Sequence, residues 1–353
     1  MSEGKPLQII KSVKDSFELD EMVLSQILEN DEIKDKFVAV ISIAGPYRKG
    51  KSFLLSFFLR YLNAMYIKKD ISNWLGNPKD PLQGFSWSNG MERNTTGVWI
   101  WSEIFIHEKT AIILLDTQGV FDSKTSSKNC AVIFGLSTLL SSVQIYNLSG
   151  NIQENDLHHL MLFTEYGKLA SENSESTPFQ NLLFLIRDWS YSYSFEYGPV
   201  GGHRKHLKNC FSKVECFLMP HPGMKILNNE SFDGKLVDIS EEFLEKISSL
   251  VNMILSPNRL LIKEINGEKI RGKEFLQYFE TYFQVLKKNE VPEPKTIYLA
   301  IAEANHLNVL MSCKENYTSK IKNLFEESQF LSSEDFVIKH ESIKLEILKM
   351  VCF

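Results

Sequence analysis

Phe37-Val38-Ala39-Val40-Ile41-Ser42-Ile43-Ala44 runs without a break into Gly45-Pro46-Tyr47-Arg48-Lys49-Gly50-Lys51-Ser52. The first half is a continuous, mostly β-branched apolar run, the mark of a strand buried on both faces. The second half fits Gly-x-x-x-x-Gly-Lys-Ser/Thr, a loop whose backbone wraps a phosphate. An apolar stretch at 53–62 then reads as a helix. Strand, glycine loop and helix together predict a doubly wound α/β domain with its ligand loops at the strand C-termini. In such a loop Lys51 reaches the β- and γ-phosphates and Ser52 gives its hydroxyl to Mg2+. The helix N-terminus adds the positive end of its dipole. A glycine-rich turn without a ligand is the bland alternative, and the flanking strand and helix weigh against it.

Working outward, a second buried strand at 111–115 ends at Asp116-Thr117-Gln118-Gly119. An acidic residue at that strand end meets the Mg2+ shell, and the glycine amide can bind the γ-phosphate. Asp-x-x-Gly alone is common in turns; on its own apolar strand downstream of Lys51 it is strong support. Thr95-Thr96-Gly97 lies in a polar stretch between the two motifs. Thr95 there can complete the Mg2+ shell and order its loop, or sit in an ordinary polar turn. Arg48 lies inside the phosphate loop. Charge builds on the phosphoryl oxygens in the transition state, so a positioned arginine there accelerates hydrolysis by orders of magnitude. A solvated arginine that raises affinity only is the competing reading.

The Asn-Lys-x-Asp guanine motif does not occur in the chain, and Arg187-Asp188 stands at the corresponding strand end. Asp188 can accept hydrogen bonds from the N1–H and exocyclic amine of guanine. On this dipeptide alone, a surface ion pair or an adenine nucleotide stays open.

Further strands are expected at 7–13, 143–147, 181–186 and 216–219, with helices at 20–30, 131–142 and 154–170. The character changes near Leu255-Ser256-Pro257, and no strand pattern survives beyond Gly267. Phe275, Tyr278, Phe279, Tyr282, Phe283 and Leu286 form an apolar helical face that reads as core. Pro292 and Pro294 punctuate the chain before a helical stretch at 296–325 and an amphipathic one at 333–351. The expected organisation is a nucleotide-binding α/β domain over 1–255, a linker over 256–266 and a helical domain over 267–353.

The chain has 353 residues and a net charge of −5, with its lysines and arginines scattered, which argues against a dedicated nucleic-acid binder. Cys130, Cys210, Cys216, Cys313 and Cys352 show no paired spacing and are odd in number, which suits reduced cytosolic thiols rather than disulfides or zinc. No signal peptide opens the chain, and no apolar run approaches the ~18 residues that span a bilayer, so it is expected to be soluble.

With these residues assembled, the sequence resembles the atlastins, dynamin-superfamily GTPases related to the guanylate-binding proteins. The resemblance rests on GPYRKGKSFLLSFFLRYL at 45–62, LLDTQGVFDS at 114–123, QIYNLSGNIQENDLHHLMLFTEYGKLA at 144–170, LIRDWS at 185–190 and KEINGEKI at 263–270. It extends from about residue 7 to about residue 325, on motifs long enough to be specific.

It implies a GTPase that binds GTP or GDP with Mg2+, with Arg48 as an arginine finger acting in its own subunit. It also implies phosphate contacts from Lys49, Gly50, Lys51, Ser52 and Phe53. Mg2+ ligands would be Ser52 and Thr95, with Asp116 in the shell. Gln118 would lie beside the γ-phosphate; an amide cannot usefully take a proton, so its role is to hold the attacking water. Arg187 and Asp188 would read the base, and Ile226 and Asn229 would border the guanine pocket. The stretch from 267 onward would be a truncated middle domain, a partial three-helix bundle.

The family further implies GTP-dependent dimerisation through the G domain, with itself or another atlastin, in tethering and fusion at the cytosolic face of the endoplasmic reticulum. With no spanning segment in the chain, membrane contact would come through partners. Besides the truncated middle domain, two departures stand out. Relatives carry a further helix and loop between the stretch matching Tyr197–Gly202 and the one matching Arg204-Lys205-His206. Two charges on the dimer side are replaced here by Ser88 and Ser194. These favour an alternative, a non-fusing GTP-binding partner that pairs with a full-length atlastin.

Overall fold

A computed structural model describes residues 4–13, 16–87, 96–119, 127–153, 156–157, 160, 177, 179–189, 207, 210–227, 229, 231–265, 267–288, 294–327 and 332–351. Thr95, Ser88, Ser194, the 197–206 stretch and most of the expected 154–170 helix lie outside these residues.

Chain order is β1 (Pro6–Val13), β2 (Ser16–Leu19), α1 (Glu21–Leu28), β3 (Phe37–Ala44), α2 (Lys51–Leu62), β4 (Val98–Trp101), β5 (Phe105–His107), β6 (Thr110–Thr117), α3 (Ser127–Leu140), β7 (Val143–Ser149), β8 (Phe179–Arg187), β9 (Phe211–Leu218), α4 (Glu241–Leu255), β10 (Glu264–Ile265), β11 (Glu268–Lys269), α5 (Gly272–Lys288), α6 (Pro294–Glu327) and α7 (Ser333–Val351). These form two compact units, Met1–Tyr298 and Leu299–Phe353.

In the first unit β3 is the hub. It pairs in parallel with β6 on one side and β7 on the other, so its uninterrupted apolar run is buried on both faces. Beyond β7 the sheet continues in parallel through β8 to β9. Beyond β6 it turns antiparallel through β4, β1 and β2, with β5 also paired to β6. The chain thus leaves β3 for β6 on one flank and returns to β7 on the other, the topological switch at which α/β sheets hold their ligands.

Ile41 and Ile43 face a layer of α2 and α4, with Phe57, Phe58, Phe243 and Ile247 at its centre. The opposite face carries α3, on which α5 packs. Helix α2 is apolar around almost its whole circumference and is buried accordingly, including Phe53, Leu54, Leu55, Phe57 and Phe58. It continues as a π-helical turn, Asn63–Lys68, that ends at Lys69 in the left-handed region.

After α4 the chain does not run free as a linker would. Lys263 N–H donates to Val38 O at 2.7 Å, Val38 N–H to Ile270 O at 3.0 Å, and Ile270 N–H to Lys263 O at 2.9 Å. The short β10–β11 hairpin turns at Gly267, φ 81°. The segment expected as linker is therefore stitched to the start of β3. Because α5 lies against α1 and α3, the first compact unit extends past the expected boundary at 266 to Tyr298.

In the second unit α6 and α7 run antiparallel. Tyr317 Oη lies 2.8 Å from His340 Nε2, Lys320 Nζ 2.6 Å from Glu346 Oε1, and the Phe325 and Phe336 rings meet at a tilt with centroids 5.4 Å apart. The C-terminal region is helical, as the resemblance implies. No helix among the described residues is long and apolar enough to cross a membrane.

Candidate nucleotide site

The phosphate loop links β3 to α2. Its turn needs glycine at both ends. Gly45 has φ 142°, and a Cβ there would sit 2.2 Å from Asn147 O. Gly50 has φ 71° and offers no side chain to cap α2, which leaves the first N–H groups of the helix facing the loop. Arg48 is exposed and held at φ 59°, a conformation that costs an L-residue on the order of 1 kcal/mol. Lys51 is 6% exposed, and its Nζ donates across the loop to Pro46 O at 3.1 Å.

From the neighbouring strand β6, Asp116 comes within reach: Ser52 Oγ donates to Asp116 Oδ2 at 2.5 Å, both side chains buried. Thr117 Oγ1 donates to Ile43 O at 2.7 Å and pins this strand end to β3. Gly119 lies against the phosphate loop itself, since a Cβ there would meet Tyr47 Cβ at 2.1 Å.

Gln118 is fully buried, and its amide oxygen accepts from Gly97 N–H at 2.8 Å. Its own N–H donates back to Gly97 O at 2.7 Å. Gln118 Nε2 has no partner among the described residues. The carbonyl of Thr96 accepts from Gln8 Nε2 and Trp99 Nε1, both at 2.8 Å. Gln118 thereby fastens the end of the segment that carries Thr95.

On the other flank, Arg187 is buried against the loop backbone. Its Nη1 stands 3.5 Å from both Lys49 O and Gly50 O, and its guanidinium lies over the Phe243 ring at 5.6 Å. Burial pulls its pKa down, with Asp188 opposing. Asp188 takes φ 60°, and Ser149 Oγ donates to its Oδ2 at 2.7 Å. Asn147, at the end of β7, donates from Nδ2 to Lys49 O at 2.9 Å.

No cluster of three or more His, Cys, Asp or Glu side chains among the described residues suits a metal. Ser52 and Asp116 instead present a close pair of hard oxygens. That pair fits Mg2+, which keeps waters and nucleotide phosphates as its remaining ligands.

A family model described as the N-terminal domain of guanylate-binding proteins matches residues 14–204 and 202–264. The chain is 48% identical over 368 residues to Atlastin of Drosophila melanogaster, covering 97% of this chain and 68% of that protein. Against Atlastin-1 of Bos taurus the identity is 45% over 373 residues, with 98% and 66% covered. Against Atlastin-2 of Xenopus laevis it is 44% over 377 residues, with 99% and 65% covered. The chain belongs to the atlastin family.

The chain spans about two thirds of the length of these relatives. Their alignments run longer than its 353 residues, and the family match falls in two pieces that overlap at 202–204. Atlastins are GTPases, which implies a guanine nucleotide as the ligand class, and a guanylate-binding-protein-type α/β domain is the setting.

In this atlastin-type site the structure brings together Arg48, Lys49, Gly50, Lys51, Ser52, Asp116 and Gln118, with Arg187 and Asp188 from the far flank. The Phe53 side chain is elsewhere: it packs edge-on or tilted against Phe57, Trp87, Phe232 and Phe243 in the core, so only its backbone can face phosphate. Ile226 is 7% exposed within the same core cluster. Asn229 Oδ1 accepts from Ser231 N–H and Oγ. Sequence motifs passed over Asn147 and Ser149, although both close an apolar strand at the switch point.

Proposed function

We propose that this chain binds GTP with Mg2+ and hydrolyses it, with Arg48 supplying positive charge to the transition state. The observation that carries the reading is Arg48 itself. It is exposed, yet held in a left-handed conformation between two glycines of the phosphate loop. Strain kept at a loop apex over a phosphate cradle is the pattern of a preorganised catalytic group.

Lys51 and the α2 N–H groups would hold the β- and γ-phosphates. Ser52 and Asp116, with Thr95, would hold Mg2+, which would supply positive charge against the phosphates. Gln118 would act by fixing Gly97 and, through it, the backbone that holds the attacking water. Asp188, oriented by Ser149, would accept from guanine, and Arg187 would support both the base side and the loop. Ile226 and Asn229 would border the guanine on that side.

At the level of assembly, the reading is an atlastin that dimerises through its G domain when nucleotide is bound, in tethering and fusion of endoplasmic reticulum membranes. A second reading, a non-fusing GTP-binding partner of a longer atlastin, is favoured by the break in the family match at 202–204. GTP turnover measured beside molecular size, in GDP and in GDP–aluminium fluoride, separates the two. Fast hydrolysis with analogue-induced dimers supports the first. Tight binding without turnover supports the second.

A further inference from the structure

Asn147 touches the phosphate loop at both of its ends. Its backbone carbonyl occupies the space that any Cβ at position 45 would need, 2.2 Å away. Its side-chain Nδ2 donates to Lys49 O at 2.9 Å. The side chain is fully buried, and its Oδ1 has no hydrogen-bond donor among the described residues. A buried amide oxygen left without a partner costs free energy, which an apolar side chain of the same size would avoid. What that apolar side chain could not do is hold the Lys49 carbonyl.

Between the two contacts sits Arg48 at φ 59°. A left-handed non-glycine residue persists only where the peptides around it are fixed. The second peptide after Arg48, the one joining Lys49 to Gly50, carries the Lys49 carbonyl, held by Asn147 at 2.9 Å and by Arg187 Nη1 only at 3.5 Å. Asn147 makes the shorter contact and the better bond. We propose that Asn147 is a positioning residue for hydrolysis: from the end of β7 it locks the Arg48–Lys49 turn in the geometry that presents Arg48 to the phosphates.

Without the Asn147 donor the turn relaxes toward right-handed φ and carries the arginine away. The α2 N–H groups and Lys51 stay in place, so ground-state binding survives. The inference rests on the arginine reading of Arg48.

The test is a double-mutant cycle on the intact chain, reading single-turnover GTP hydrolysis, equilibrium GTP affinity and thermal unfolding. Asn147→Leu keeps the branched heavy-atom shape and removes the unpaired oxygen, and Asn147→Ala is the second variant. Both are expected to slow hydrolysis at least ~tenfold while affinity stays within about threefold. Asn147→Leu should unfold no earlier than the parent. On an Arg48→Ala background neither should slow hydrolysis further, because the residue through which they act is gone.

Normal hydrolysis by Asn147→Leu overturns the inference, and so does a parallel loss of binding and turnover. With Arg48→Ala itself slow, multiplicative slowing in the double variant overturns the inference alone. Near-normal hydrolysis by Arg48→Ala defeats the arginine reading in that single variant and takes the inference with it.

Discussion

The two places where this sheet buries polar groups are built on opposite terms. At the phosphate end, Arg48 and Asp188 hold left-handed backbone conformations. There, Gln118 Nε2, Asn147 Oδ1 and Arg187 Nε are buried without hydrogen-bond partners among the described residues. Beside α3, where 260–270 is stitched to β3, the buried Ser42, Ser142, Gln144 and Lys263 side chains are bonded, while Asn181 Oδ1 lacks a partner among the described residues. Ser42 Oγ meets Ser141 Oγ at 2.5 Å and Gln144 Oε1 at 2.6 Å. Ser142 Oγ donates to Val40 O at 3.0 Å, and Lys263 Nζ donates to Ser141 O at 3.0 Å. Lys69 and Glu108 are also left-handed away from the loop, but at the phosphate end such strain coincides with unmet hydrogen-bonding capacity, whereas at the joined end Ser42, Ser142 and Lys263 are bonded. The contrast separates positions whose loss should change chemistry from those whose loss should change stability.

The largest effect belongs to the phosphate end. Lys51→Ala should weaken GTP binding by a hundredfold or more, about 3 kcal/mol, with the fold retained. Unchanged affinity in a nucleotide titration would break the cradle reading. Gly119→Ala comes next, because its Cβ would meet Tyr47 at 2.1 Å and push the loop. Hydrolysis should fall ~tenfold or more with a smaller loss of stability. An active Gly119→Ala would show that the two motifs are not mechanically coupled.

At the joined end, burial pushes the Lys263 pKa down from 10.5 to about 7. Between those values the unfolded chain carries a proton that the folded chain lacks. Stability should therefore rise with pH across that window, by at most about 1.4 kcal/mol per unit, and be flat below it. Lys263→Met should flatten that slope and raise stability at neutral pH, as followed by denaturant unfolding at several pH values. A persisting slope would place its source elsewhere. The smallest effect is Ser42→Ala, which should cost about 1 kcal/mol by leaving Gln144 Oε1 with only the weaker Ser141 contact. A change in hydrolysis by Ser42→Ala would blur the boundary between the two regions.

The sequence made one of these regions legible and hid the other. The apolar run of β3, its glycine loop and the Asp116 strand end are local signals, and each stands where expected. The strands β4 and β5 were not anticipated. Trp99-Ile100-Trp101 shows no polar alternation; β4 forms between antiparallel β6 and β1, and β5 against β6. The expected linker was read from a change in composition alone. Its attachment depends on Lys263 meeting Ser141 O and Val38 O, partners remote in sequence that no local pattern announces. The support that Asn147 and Arg187 give to the Lys49 carbonyl is equally long-range, and so neither residue could be given that role from spacing.

The central claim is that strain at the loop apex serves the chemical step, and single-turnover GTP hydrolysis by Arg48→Ala, beside its GTP affinity, tests it most directly. The account predicts affinity close to the parent's and hydrolysis slower by at least a hundredfold, on the order of 3 kcal/mol in the barrier. Near-normal hydrolysis with weakened binding would contradict it and leave Arg48 a ligand-affinity residue only.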